Sequence, residues 1–138
     1  MSTPAEITKH MLTHDRFSQW LGVEIEATGT EYCKLHFQVT DQMLNGFAVI
    51  HGGVLFAAAD SAFAFACNSH GILTLALNAD IGFTRTAHSG EILTVEAKAI
   101  HQGGRTGVYQ VGITNAAGEL IALFKGTAYR TSKTIDVQ

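Results

Sequence analysis

Apolar residues recur along this chain at two spacings, and the change from one to the other divides it into elements. From Pro4 to about His14 the spacing is helical, with Ile7, Met11 and Leu12 on one side. Thr3–Pro4 has the form of an N-cap followed by proline at the first helical position. Asp15 to Leu21 adds a further turn or two. From Gly22 the period shortens to two: Val23 and Ile25 alternate with Glu24 and Glu26, and Gly29 marks a turn. Cys33, Leu35, Phe37 and Val39 then alternate with Lys34, His36, Gln38 and Thr40, so the two stretches predict an antiparallel hairpin. Asp41 to Ile50 reads as a loop. The run from His51 to Cys67 is apolar on every face apart from Asp60 and Ser61, the pattern of a buried helix. It stops near Asn68–Ser69–His70–Gly71, where glycine supplies a C-cap. Four strands follow: Leu73–Phe83; the alternation of Leu93, Val95, Ala97 and Ala99 after the Ser89–Gly90 turn; that of Tyr109, Val111 and Ile113 after the Gly103–Gly104 hairpin signal; and Glu119–Tyr129 after the Asn115–Gly118 turn.

The order is therefore one helix, two strands, one long helix and four strands. Strands in runs around a central helix predict an α+β domain with a mostly antiparallel sheet. A sheet wrapped around that helix accounts for its lack of a polar face. With 138 residues, the chain is expected to form one domain, 1–138, without repeats or linkers. A hydrophobic content of 46% points to buried subunit contacts. The net charge of -3 leaves no basic stripe to hold a duplex, so nucleic acid is not expected as a partner. The first residues lack the basic and apolar regions of a signal peptide, and the apolar run broken by Asp60 is too short to span a bilayer. Cys33 and Cys67, without CxxC spacing, read as free thiols. Together these features predict a cytoplasmic protein with no membrane partner.

Asp60 carries the chemistry. A carboxylate inside an apolar helix is costly unless it is paired, hydrogen-bonded or protonated. It is either a structural acid with buried partners or a general base or nucleophile for something that enters the site. Gly52 and Gly53 open the same helix, where backbone N–H groups are unpaired and the dipole is positive. Such donors can stabilise a developing oxyanion, and glycine lets a carbonyl approach the backbone closely.

Asn45, then His51–Gly52–Gly53 six residues later, then Asp60–Ser61–Ala62–Phe63–Ala64–Phe65–Ala66–Cys67–Asn68–Ser69 resembles the hotdog-fold acyl-CoA thioesterases, in their phenylacetic-acid-degradation (PaaI-type) branch. The likeness continues through Phe83–Thr84–Arg85, the block from His101 to Tyr109, Ala122 to Gly126, and Tyr129–Arg130, and so covers nearly the whole chain. One departure is Thr86, which stands where the family often has proline. The resemblance implies a hotdog subunit, a side-by-side homodimer that completes the active site, and a homotetramer of two dimers. It implies hydrolysis of an aromatic acyl-CoA, phenylacetyl- or hydroxyphenylacetyl-type, at the dimer interface, with no metal and no cofactor beyond the CoA of the substrate. Asn45 would then help hold the thioester and a neighbouring water, and His51 would fix the loop. Asn78, eighteen residues after Asp60, falls near a serine or threonine that orients the attacking water in related enzymes.

Geometry adds one inference. Asp60 lies eight residues after Gly52, about 12 Å along a helix axis. If both act on one carbonyl they must meet across a two-fold dimer. Five of the nine basic residues, Arg85, Arg105, Lys125, Arg130 and Lys133, lie in the later strands and are candidates for the CoA phosphates. Gly104 and Thr106 belong to the turn that would let backbone approach a phosphate. Each basic residue taken singly reads more readily as solvated surface than as a phosphate ligand. Two other readings stay open: hydration or dehydration of an enoyl thioester on the same fold, since His51 and His70 flank the helix, and acyl-CoA binding without catalysis.

Overall fold

The computed structural model describes residues 1–137. Helix α1 (Pro4–His14) begins with a reciprocal cap: Glu6 N–H donates to Thr3 Oγ1 at 3.2 Å, and Thr3 N–H donates to Glu6 Oε1 at 2.9 Å. Asp15 closes α1 and caps α2 (Arg16–Leu21), its Oδ1 accepting from Ser18 N–H at 2.9 Å. Gly22, at φ 73°, ends α2 in the left-handed conformation that glycine enters without strain. Strands β1 (Glu24–Gly29) and β2 (Tyr32–Gln38) form the expected hairpin. The Asp41–Ile50 segment includes one turn of 3-10 helix and leads into α3 (Gly52–Cys67). Strands β3 (Ile72–Phe83), β4 (Ile92–Gln102), β5 (Thr106–Thr114) and β6 (Leu120–Thr134) follow.

All six strands join one antiparallel sheet in the order β1-β2-β4-β5-β6-β3. The sheet curls around α3 in the hotdog arrangement. Leu35, Phe37, Val95, Tyr109, Val111 and Phe124 point inward against Ala58, Ala59, Ala62, Phe63 and Ala66 of the helix, all of them buried. Alanines on the covered side let the helix lie close to the strands. Closest approach falls at Gly126, where a Cβ would stand 2.8 Å from the fully buried Phe63 ring. The last strand runs five residues beyond the expected Tyr129. Its polar end lacks apolar alternation but stays paired with the start of β3, as at Ile72–Thr134.

The two edges of the sheet differ. β1 is short, breaks register between Ile25 and Ala27, carries Glu24 and Glu26, and packs against α1. These features blunt an edge. β3 has twelve residues, no strand on its outer side, and exposed Leu75, Leu77 and Phe83. The same open side extends to α3. Gly53, Phe56 and Asp60 are exposed along one helix stripe, with Ala57, Ser61 and Ala64 half-buried beside them. The expectation that Asp60 is buried in the chain is thus corrected. Six strands cover only part of the helix circumference, and the carboxylate sits in the gap. Both thiols are buried and pushed up to about 12 by that burial. No helix among the described residues is long and apolar enough to cross a membrane.

The contact at Gly126 yields a stability test. Gly126→Ala is expected to lower unfolding stability by about 1–3 kcal/mol through overpacking against Phe63, seen as a reduced denaturant midpoint at unchanged slope. An unchanged midpoint would show that the ring has room to yield.

Candidate active site

The segment before α3 is held from both sides. Leu44 and Ile50 form a β-bridge, His51 N–H donates to the Met43 carbonyl at 2.8 Å, and Ile50 N–H donates to the Ala87 carbonyl at 2.8 Å. Within it Asn45 Oδ1 accepts from Phe47 N–H at 2.9 Å and Val49 N–H at 3.4 Å. Asn45 therefore shapes its own loop, and its amide nitrogen, with no partner among the described residues, is left to donate outward. Ala48 is forced into the left-handed region at φ 61°, and Phe47 at the tip is 88% exposed. Neither residue stands out in the sequence. A non-glycine left-handed residue has no reliable sequence signature.

His51 is the N-cap of α3, and its Nδ1 accepts from Gly53 N–H at 2.8 Å. This fixes the ring as the tautomer protonated on Nε2. It also divides the two glycines. Gly53 N–H is satisfied inside the loop, which corrects the expectation that both glycines offer donors. Gly52 N–H has no partner among the described residues and remains available at the positive end of the helix. The approach there is close: the exposed Phe83 ring lies 3.1 Å from where a Gly52 Cβ would be and would have to shift to admit one. Phe83 is thus a wall of the place a carbonyl would occupy at the Gly52 N–H.

Asp60 lies two turns further along α3, on the exposed stripe. Its carboxylate has no hydrogen-bond or ion-pair partner among the described residues, although apolar protein crowds it. That desolvation raises its pKa above the ordinary carboxylate value. An acid of this kind, unpaired and accessible, is the opposite of a structural ion pair. Beside it Ser61 Oγ meets Ser18 Oγ of α2 at 2.8 Å, so α2 is fastened to the helix next to the carboxylate. Neither flanking histidine pairs with Asp60. His51 caps the helix, and His70 beyond its far end faces Arg130 Nη2 at 3.4 Å and Glu31 Oε1 at 3.9 Å. Burial, and then the Arg130 charge, lower the His70 pKa.

The remaining candidates are dispersed. Asn78 is exposed on the β3 edge just past a register shift at Leu77, with no side-chain hydrogen bond. Arg85 is exposed and ion-paired with Glu119 at 3.1 Å. Arg105, in the exposed turn with Gly104 and Thr106, donates to Tyr129 Oη at 3.2 Å. Lys125 is exposed opposite Asp80, and Lys133 is exposed near the end of β6. Arg130 turns inward and donates to the Gly104 carbonyl at 3.2 Å. It is therefore an anchor for the β4–β5 turn within the protomer, not a free phosphate ligand. Arg105 and Arg130 are neighbours, Arg130 N–H donating to the Arg105 carbonyl at 2.7 Å, and Arg85 stands apart from them. Ala122, opposite Phe83, and Arg130, opposite Thr74, mark ends of β6 about 26 Å apart.

The family model of the thioesterase superfamily matches residues 47–122. The chain is 41% identical to the acyl-coenzyme A thioesterase PaaI of Escherichia coli K12 over 125 residues, which is 91% of this chain and 89% of that protein. The structure of the E. coli PaaI protein from the phenylacetic acid degradation operon superposes with a TM-score of 0.91 at 38% identity, covering 98% of this chain and all of the other. A hypothetical thioesterase from Streptococcus pneumoniae TIGR4, solved with coenzyme A, gives a TM-score of 0.78 at 25% identity over 83% of this chain and 91% of its own.

The raised Asp60 pKa has a direct consequence for stability. A carboxyl whose folded pKa lies above its unfolded value favours the fold while protonated; that contribution is lost as pH rises from the unfolded value through the folded one. Asp60→Asn is therefore expected to be more stable than the parent at pH 7, with the difference shrinking toward pH 3. Denaturant midpoints at the two pH values decide it, and a variant less stable at pH 7 would show that the carboxylate is held by a favourable partner.

Proposed function

The chain belongs to the thioesterase superfamily, and from that premise we propose that it hydrolyses acyl-CoA thioesters, aromatic ones of the phenylacetyl type among them, in a site built by two protomers. The observation that carries this reading is the pair of unsatisfied groups on α3: the Gly52 N–H at its start and the Asp60 carboxylate two turns on, both beside the open edge of the sheet. About 12 Å of rigid helix separates them, so one carbonyl reaches both only if they come from different chains.

The open β3 edge supports the required partner. A long strand with unpaired backbone groups and exposed Leu75, Leu77 and Phe83 is a template for pairing. Two copies of β3 pairing antiparallel about a two-fold would run in opposite directions, and the two α3 helices with them. Gly52 of one protomer then stands opposite Asp60 of the partner subunit. The same reversal carries Arg85 at one end of β3 toward the Arg105–Tyr129 end of the partner subunit. Basic residues dispersed in one chain would thus come together for the phosphates of CoA. Pairing of dimers into a tetramer would use other surfaces.

In this site the thioester oxygen accepts from Gly52 N–H, with the Asn45 amide as a second donor to the thioester or its water. Asp60 of the partner subunit takes a proton from the attacking water or itself attacks the carbonyl carbon. The C–S bond breaks and CoA leaves as the thiolate and recovers a proton; the acid is released directly when water attacks, and after a water hydrolyses the mixed anhydride on Asp60 when the carboxylate attacks. Both routes need Asp60 ionised. The acid limb of kcat/KM is therefore displaced upward from that of an ordinary carboxylate, as its desolvation requires.

Asp60→Asn is expected to lower thiol release from phenylacetyl-CoA by about 10²–10⁴-fold with the oligomer intact. Persisting activity would place the site elsewhere. The shared site has a sharper test. Gly52→Ala, which keeps the N–H and adds a Cβ beside Phe83, is the control for Gly52→Pro, which removes the N–H at a first helical position that tolerates proline and alone is expected to be inactive. Co-expressed with Asp60→Asn, half the dimers are mixed and each has one intact site, so about a quarter of parental activity should return. No recovery would mean that both groups act within one chain or not at all.

A further inference from the structure

Resting on the reading just given, we infer that Phe47 sets the acyl preference of the site, its ring forming the wall against which the acyl group lies. Phe47 stands two residues from Asn45, and its N–H is bound to the Asn45 side chain at 2.9 Å. The ring is therefore tied to the residue whose amide faces the thioester. The loop is not a floppy excursion. It is pinned at Met43, at Ile50 and at Ala87, and it holds Ala48 at φ 61°, a conformation unfavourable for a residue with a Cβ. The result of that constraint is a phenylalanine 88% exposed at the tip.

A second exposed aromatic, Phe83, lies against Gly52. The hydrogen bond from Ile50 N–H to the Ala87 carbonyl ties the Phe47 loop to the segment that follows Phe83. Phe83 thus stands at the end of α3 where Gly52 N–H is unpaired, and the loop that carries Phe47 is fastened to the segment that follows it. The CoA arm beside the thioester offers amides, which gain little from an apolar ring, and the adenine that could stack on one lies beyond the pantetheine and the phosphates, far from the residue next to Asn45. The acyl group is the apolar end of the substrate, and a flat aromatic acyl group has the most area to set against phenylalanine. Phe83 is committed by its contact with Gly52 and by pairing at the end of β3. Phe47 touches nothing that its replacement would unseat, and so it is the position where acyl preference is adjusted.

The test compares Phe47→Ala and Phe47→Leu with the parent on phenylacetyl-CoA and acetyl-CoA. Phe47→Ala is expected to lower kcat/KM for phenylacetyl-CoA by about tenfold or more and to leave acetyl-CoA within roughly twofold, with Phe47→Leu in between. Equal losses on both substrates, or no change on either, would overturn the inference. So would dissociation of the oligomer by light scattering, which would make Phe47 a contact between protomers. Calorimetry with two ketone analogues, 3-phenyl-2-oxopropyl-CoA and acetonyl-CoA, separates this inference from the hydrolase reading. If the parent turns over no thioester, that reading fails. A selective loss of affinity for the phenyl ketone in Phe47→Ala would still uphold Phe47, and parent protein that binds neither ketone, or an unaltered preference, would dismiss it.

Discussion

A rigid helix cannot fold its first turn back onto its third. Gly52 and Asp60 are eight residues apart on α3, which the sheet grips along one side with alanines, Phe63 and Phe65. Helical geometry fixes their separation at about 12 Å. Most of what is unusual about the protomer follows from leaving both groups unsatisfied at that distance. The helix has an uncovered stripe, the sheet has an uncovered edge beside it, and the carboxylate has no partner of its own. Each would be a defect in a chain that works alone. Together they describe half of a site.

The contrast between the two sheet edges bears on the same point. At β1 a bulge, two glutamates and α1 all discourage pairing. β3 also breaks register, twice, and carries Asp80, but the strand is twice as long with large apolar side chains exposed. A chain that guards one edge and leaves the other open has distinguished between them. The exposed stripe of α3 lies on the unguarded side, so pairing there would cover apolar surface and dry the surroundings of Asp60 in one step.

Much of this fold can be read from the sequence, because the signals are local. The period of two names β2, β4 and β5, the apolar run names α3, and Thr3–Pro4 names the start of α1, while the Asp15 cap of α2 shows only in the structure. The open stripe is not legible, since Phe56, Ala57 and Ala64 look alike whether they face their own sheet or a second chain. The end of β6 is missed for a related reason: Arg130 to Thr134 have strand pairing without strand alternation. The site is legible in its residue types and not in its bonds. That Gly53 N–H is taken by His51, that Arg130 turns inward to Gly104, and that Phe83 abuts Gly52 all depend on side-chain direction or on strand register over long sequence separations. The basic residues suggested by position in sequence likewise divide once β3–β6 register sets Arg85 far from the adjacent Arg105 and Arg130.

The electrostatics of the resting site follow from these placements. Asp60 sits mid-helix, where its own α3 offers neither a free N–H nor the positive end of the dipole, and apolar neighbours raise its pKa. In the two-fold pair proposed above, the nearest unspent donor of the right sign would be the Gly52 N–H of the partner subunit. His51 accepts the adjacent Gly53 N–H, which leaves a single aimed donor instead of two. In that proposed site a carbonyl entering between Gly52 and the opposed carboxylate would displace water from both. The donor then polarises the oxygen while the base loses solvation, and its appetite for a proton increases. The groups that cost the protomer stability when empty are those that gain most when a thioester fills the gap, which is the condition for binding energy to be expressed at the reacting centre.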